Sequence, residues 1–164
     1  MYAMVIIESD NRKIKIRNEV LQGICNYIQT AHSDIEAGGI LIGRENRGNQ
    51  NIVIEYSTEP MKEDIRSRIR YFRKDPGHVE YYKKLYDENN EIYAYYGEWH
   101  THPEDNPSYS FVDWENWKSI AKKDPKGIQY HIIAGRKSFV MWEMRKGRMI
   151  PQKIGEVKWN EIIF

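Results

Sequence analysis

Apolar residues recur along the chain with a period of two in some stretches and near 3.6 in others, and the switches between the two mark its elements. Val5, Ile6 and Ile7 suggest a first strand, and Lys13 to Ile16 a short second one. Asn18 stands where it can cap a helix whose Val20, Leu21, Ile24, Tyr27 and Ile28 form one stripe. Ile40, Leu41 and Ile42 are continuously apolar, as in a central strand buried on both faces. Gly38 and Gly39 remove side chains just after Glu36, which would let backbone or substrate approach; an ordinary bulge is the other reading. Asn46 to Asn51 reads as a turn, with strands at 51–58 and about 65–73 beyond it.

Pro76 and Gly77 open a second helix with Val79, Tyr82, Leu85 and Tyr86 on one side, and Asn89 and Asn90 end it. Ile92 to Trp99 is a strand carrying His100 at its end. Pro103 and Pro107 stiffen the loop that follows. Trp114, Trp117 and Ala121 line a third helix that stops before Pro125. Ile128 to Ala134 and Phe139 to Arg145 form two strands joined near Gly135, and Pro151 and Gly155 leave a last strand at 156–163. No repeat, low-complexity stretch or linker interrupts this order. The pattern predicts one α/β domain over residues 1–164, a mixed β-sheet flanked by helices.

Composition narrows the class. A chain of 164 residues suits one domain with a real core. A net charge of +1 supplies no global field toward nucleic acid or membrane. Twelve tyrosines and five tryptophans argue against disorder. The single cysteine, Cys25, excludes an internal disulfide and any CxxC motif; its helical apolar setting favours a buried structural thiol. No run approaches the roughly 18 apolar residues of a membrane span. The apolar stretch in the opening MYAMVIIESD is too short for a signal h-region and no basic n-region precedes it, so a soluble cytoplasmic protein is expected.

The chemistry concentrates in HTHPEDNPSYSFVD. His100 and His102 share a face if they end a strand, and Asp113 in the first turn of the next helix can close the site. Two imidazoles and a carboxylate are ligands zinc takes when it keeps a fourth position open for water. Read singly, His-x-His also describes surface or core histidines, and Ser110 with Asp113 is an S-x-x-D capping box that needs no metal. Both features at this spacing, with Glu36 upstream, favour the metal reading. A carboxylate can also cap a helix and face an ion at once.

These residues resemble the JAMM (JAB1/MPN/Mov34) metallopeptidase family, whose signature is an upstream Glu, His-x-His, seven residues, Ser, two residues, Asp. Glu36, His100, His102, Ser110 and Asp113 match it without departure. The resemblance implies a JAB/MPN fold, Zn2+ held by His100, His102 and Asp113, Glu36 as general base, and Ser110 steadying the oxyanion. A narrower likeness lies in GHVEYYKKLYDENN and IYAYYGEWHTHPEDNPSYSFVDWENW, which look like the standalone bacterial JAB peptidases of anti-phage CBASS operons. That implies a deconjugating isopeptidase acting on a cGAS-like nucleotidyltransferase beside an E1–E2-like conjugation enzyme. A JAB protease that trims ubiquitin-like sulfur carriers is the second enzyme reading. A noncatalytic MPN scaffold is the third, disfavoured because every ligand is present.

Other polar residues carry blander expectations. His131, in YHIIAG, reads as a core or sheet-face histidine, His78 as a surface residue near a helix start, and His32 as a loop residue. Glu98 is expected to face away from the histidines. Arg66, Arg68 and Arg70 would share a strand face opposite Ile65, Ile69 and Tyr71. That basic run, reaching to Lys74, is a solvated face or a dock for an acidic protein; nucleic acid is disfavoured by the near-zero net charge.

Overall fold

The computed structural model describes residues 1–164. Its elements run β1 (Val5–Ser9), β2 (Arg12–Ile16), α1 (Asn18–Cys25), β3 (Gly38–Glu45), β4 (Ile52–Ser57), β5 (Ile65–Ser67) and β6 (Arg70–Phe72). Then come α2 (Gly77–Glu88), β7 (Ala94–Thr101), α3 (Phe111–Lys123), β8 (Ile128–Ala134), β9 (Ser138–Arg145) and β10 (Gln152–Lys158). Eight strands form one sheet in the order β1-β2-β4-β3-β7-β8-β9-β10. The β2–β4 and β7–β8 pairs are parallel and the others antiparallel, so the sheet is mixed. Tyr2 bridges Ile162, which draws the two ends of the sheet toward each other.

The continuous apolar run of β3 has the cause its pattern implied: the strand is central and buried on both faces. Leu41 joins the largest core with Val20, Leu21 and Ile24 of α1 and with Trp99 of β7. Ile40 and Ile42, pointing the other way, pack with Tyr93 beneath Tyr82 and Leu85 of α2. Trp117 and Ala121 of α3 cover Ile133, Val140, Trp142 and Met144 of β8 and β9. Trp99 of β7 points into the α1-side core, and its neighbour His100 points to the other side, against Trp117 of α3.

Several expectations change. The stretch 65–73 is a hairpin forming its own two-stranded sheet, with Ile65 paired to Phe72. Ile69 is 73% exposed at its tip, so the alternation of Arg and apolar residues does not mark one strand face. Asn18 is the first helical residue rather than the cap. Its amide donates to the carbonyls of Ala3 and Ile163, and α1 ends at Cys25, before Tyr27 and Ile28. Cys25 is only half-buried. β7 starts at Ala94 and contains His100, and β10 begins right after Pro151 and takes in Gly155, at a register shift, rather than starting at 156. No helix is long and apolar enough to cross a membrane.

Candidate active site

The strand that carries the two histidines contains a bulge upstream of them. Leu41 pairs with Gly97 but Ile42 pairs with Tyr95, so Tyr96 is an extra residue in β7. Gly97 has φ 152°, and a Cβ there would lie 2.0 Å from the Tyr130 carbonyl oxygen, so no larger residue fits without moving β8. Beyond the bulge the chain is extended, and the His102 N–H donates to the Ala134 carbonyl at 3.0 Å, prolonging the run past β7. His100 and His102 thus project to one side, both buried. Glu98 projects with them, contrary to expectation, because positions 98 and 100 lie two apart in an extended strand. Its carboxylate accepts from Arg73 Nε at 2.9 Å.

From the opposite side comes the start of α3. Ser110 is its N-cap: its Oγ accepts from the Asp113 N–H at 3.1 Å, and its own N–H donates to Asp113 Oδ2 at 2.7 Å. The capping box is therefore formed, and the same carboxylate faces the imidazoles. Asp113 Oδ1 lies 3.1 Å from His100 Nε2, and Oδ2 lies 3.3 Å from His102 Nε2. The two Nε2 atoms are 3.0 Å apart. Ligands about 2.0–2.2 Å from a shared tetrahedral ion are themselves roughly 3.3–3.5 Å apart, so this donor set is compatible with a metal site. Trp117, one turn along α3, stacks on His131 at 4.6 Å and meets His100 edge-on.

The groups of the cluster shift one another's titration. Burial alone would lower the His102 pKa, but the hydrogen bond and charge of Asp113, with Glu36 and Glu104, push it up to about 9. Burial would likewise raise Asp113, yet His100, His102 and the Ser110 N–H hold it well below the usual carboxylate range. Glu36 goes the other way: burial raises it to about 7 against the opposing pull of His100 and His102.

Glu36 reaches the cluster through β3. Gly38 pairs with His100, which places the residue two positions earlier beside His102; Glu36 Oε1 lies 3.9 Å from His102 Nε2. Its backbone is held from the hairpin: the Glu36 N–H donates to the Ser67 carbonyl at 2.8 Å, and Arg66 Nε donates to the Glu36 carbonyl at 2.7 Å. The cluster opens on two cavities. One, about 330 Å³, is lined by Glu36, Tyr71, His102, Ser110 and Asp113. The other, about 260 Å³, runs between β6 and α3 past Tyr71, Arg73, Glu98, His100 and Asp113.

All five residues singled out by the motif thus meet. His131 is a core histidine, fully buried and pushed down to about 3 by burial and by His100; its Nδ1 accepts from the Glu98 N–H, but its Nε2 has no partner. His32 is an exposed loop residue whose carbonyl accepts from Arg68. His78 is not at the surface: it is fully buried between Asp64 and Thr58. The sequence reading gave Glu104, Arg66 and Tyr71 no place at the cluster. Glu104, two residues past His102 in HPE, had a visible signal; the other two depend on the hairpin.

The family profile for prokaryotic homologues of the JAB domain matches residues 19–146, and the chain belongs to that family. An Escherichia coli (strain TW11681) protein described as a CD-NTase/cGAS isopeptidase is 38% identical over 159 residues, covering 96% of each chain. A Vibrio cholerae protein of the same description is 33% identical over 145 residues, covering 88% of this chain and 89% of that one. The solution structure of a Desulfitobacterium hafniense protein superposes with a TM-score of 0.57 at 18% identity, covering 92% of this chain and 91% of that one; it supports the fold.

Proposed function

We propose that the chain is a zinc isopeptidase that cuts after the C-terminal residue of a cGAS-like nucleotidyltransferase (CD-NTase), releasing it from a conjugate or trimming its precursor in CBASS defence. The observation that carries this reading is the closure of His100, His102 and the Asp113 carboxylate to within 3.3 Å, with Glu36 alongside. The names of the E. coli and V. cholerae relatives support the substrate class. An E1–E2-like enzyme that makes the conjugate would be the functional partner.

His100, His102 and Asp113 would hold the ion. Zinc held there would supply a water of lowered pKa and polarise the scissile carbonyl. Glu36 would accept a proton from the attacking water as its oxygen bonds to the carbonyl carbon, and would pass it to the departing amine as the carbon–nitrogen bond breaks. Ser110 suits an oxyanion donor, because its Oγ uses a lone pair on the Asp113 N–H and keeps its proton for a third group. An extended tail fits along β6, which pairs only with β5 and offers a free strand edge beside the metal cluster.

The test is a nucleotidyltransferase fused through its C-terminus to a reporter, with products read by mass spectrometry. Cleavage directly after the terminal residue, stopped by chelator and restored by zinc, is expected. No cut there, with efficient processing of a sulfur-carrier fusion, would replace the substrate and keep the peptidase.

A further inference from the structure

Asp64 sits just before β5, with its carboxylate buried against His78. Burial would raise its pKa, but hydrogen bonds from the Asp75, Met61 and Lys74 amides and from His78 hold it well below the usual range. Its Oδ2 also accepts from Tyr71 OH, in the middle of β6, at 2.9 Å. His78 Nε2, in the first turn of α2, lies 2.8 Å from the same oxygen. With Nε2 donating to a carboxylate, Nδ1 is free to accept from the Thr58 hydroxyl, whose oxygen in turn accepts the Ile40 N–H. Every polar atom of this chain of contacts is paired. One carboxylate thus ties both strands of the hairpin to α2 and, through Thr58, to β3.

The hairpin in turn acts on the site. It bonds both sides of the Glu36 peptide, through Ser67 and Arg66. Its Tyr71 ring occupies the space that a Cβ on Gly38 would need, 2.4 Å from Cε1, and so roofs the strand residue paired to His100. Tyr71 lines both cavities beside the metal cluster. We infer that the β5–β6 hairpin is a clamp, seated by the buried Asp64–His78 pair, that fixes Glu36 and walls the groove; Asp64, His78 and Arg66 are positioning residues. The inference deepens the function proposed above and rests on Glu36 being its base.

Arg66→Ala, Tyr71→Phe and Asp64→Asn test it in the zinc-loaded chain. Arg66→Ala should lower kcat on the fusion on the order of 10- to 100-fold, since a small misplacement of a reacting group is that costly, with KM and zinc content unchanged. Tyr71→Phe and Asp64→Asn should speed amide exchange in residues 64–74 roughly fivefold or more, and the Glu36 amide, bonded to Ser67, should speed with them. A merely structural network would give a uniform loss of protection and zinc with kcat per folded molecule intact, and that result overturns the clamp. So does a Glu36 amide that stays protected while the hairpin loosens. Should Asp64→Asn fail to fold, the other two variants decide. A wild-type chain that cleaves no fusion would sink the isopeptidase reading, while the Glu36 exchange still decides the clamp.

Discussion

Glu104 Oε1 lies 2.8 Å from His102 Nδ1, and that contact fixes the tautomer of the imidazole. A carboxylate acceptor keeps a proton on Nδ1, so Nε2, which faces Asp113 and His100, is the nitrogen that would give its lone pair to a metal. Carboxylate partners of this kind orient metal-bound histidines and raise their basicity. Glu104→Ala is expected to weaken zinc binding by about 10–100-fold without unfolding the chain, as Glu104 is half-exposed. Competition with a chromogenic chelator measures it; unchanged affinity would remove Glu104 from the site.

Protein purified without added metal should carry about one zinc per chain. His100→Ala, His102→Ala and Asp113→Ala should each empty the site, because three ligands leave no redundancy. Elemental analysis is the check. Full retention in the double histidine variant would falsify the ligand assignment.

Glu36→Gln should keep zinc and fold while losing roughly 10²–10⁴ in rate, since its amide cannot take a proton. Ser110→Ala removes one half of the capping box and leaves the other, in which the residue 110 N–H still donates to Asp113. The expected cost is about 1 kcal/mol of stability and, if the hydroxyl serves the oxyanion, a further 10²–10³ in rate. Thermal melts and steady-state kinetics separate the two effects. A stability loss with full activity would leave Ser110 as a cap alone.

Most of the site was legible because most of it is local. His100, His102, Ser110 and Asp113 lie within fourteen consecutive residues, and strand period and helix cap alone predict their convergence. Glu36 was placed by resemblance, since its approach depends on the Gly38–His100 register, a long-range pairing. The hairpin was not legible. Ile65, Arg66, Arg68, Ile69, Arg70 and Tyr71 alternate well enough for one strand, and only tertiary bonds from Asp64, Gln29 and Glu36 fold them back. His78 was misjudged for the same reason: its partners, Asp64 and Thr58, are 14 and 20 residues away.

Metal binding and stability should be coupled through pH. His102 is raised from its ordinary 6.5 to about 9 and Glu36 from 4.5 to about 7 in the metal-free protein. A raised pKa means that the folded state binds the proton more tightly. Each therefore stabilises the metal-free fold fully below its ordinary value, and that contribution is lost as pH rises through the folded value. Asp113, held low, has the opposite sign and matters only in acid. A zinc held by His102 would need its Nε2 deprotonated, so binding would release a proton and strengthen over the same interval. The gap in Tm between zinc-loaded and chelator-treated protein should therefore widen from about pH 6 to about pH 9. Paired melts across that range are the measurement; a gap that stays flat would mean that His102 is not a ligand.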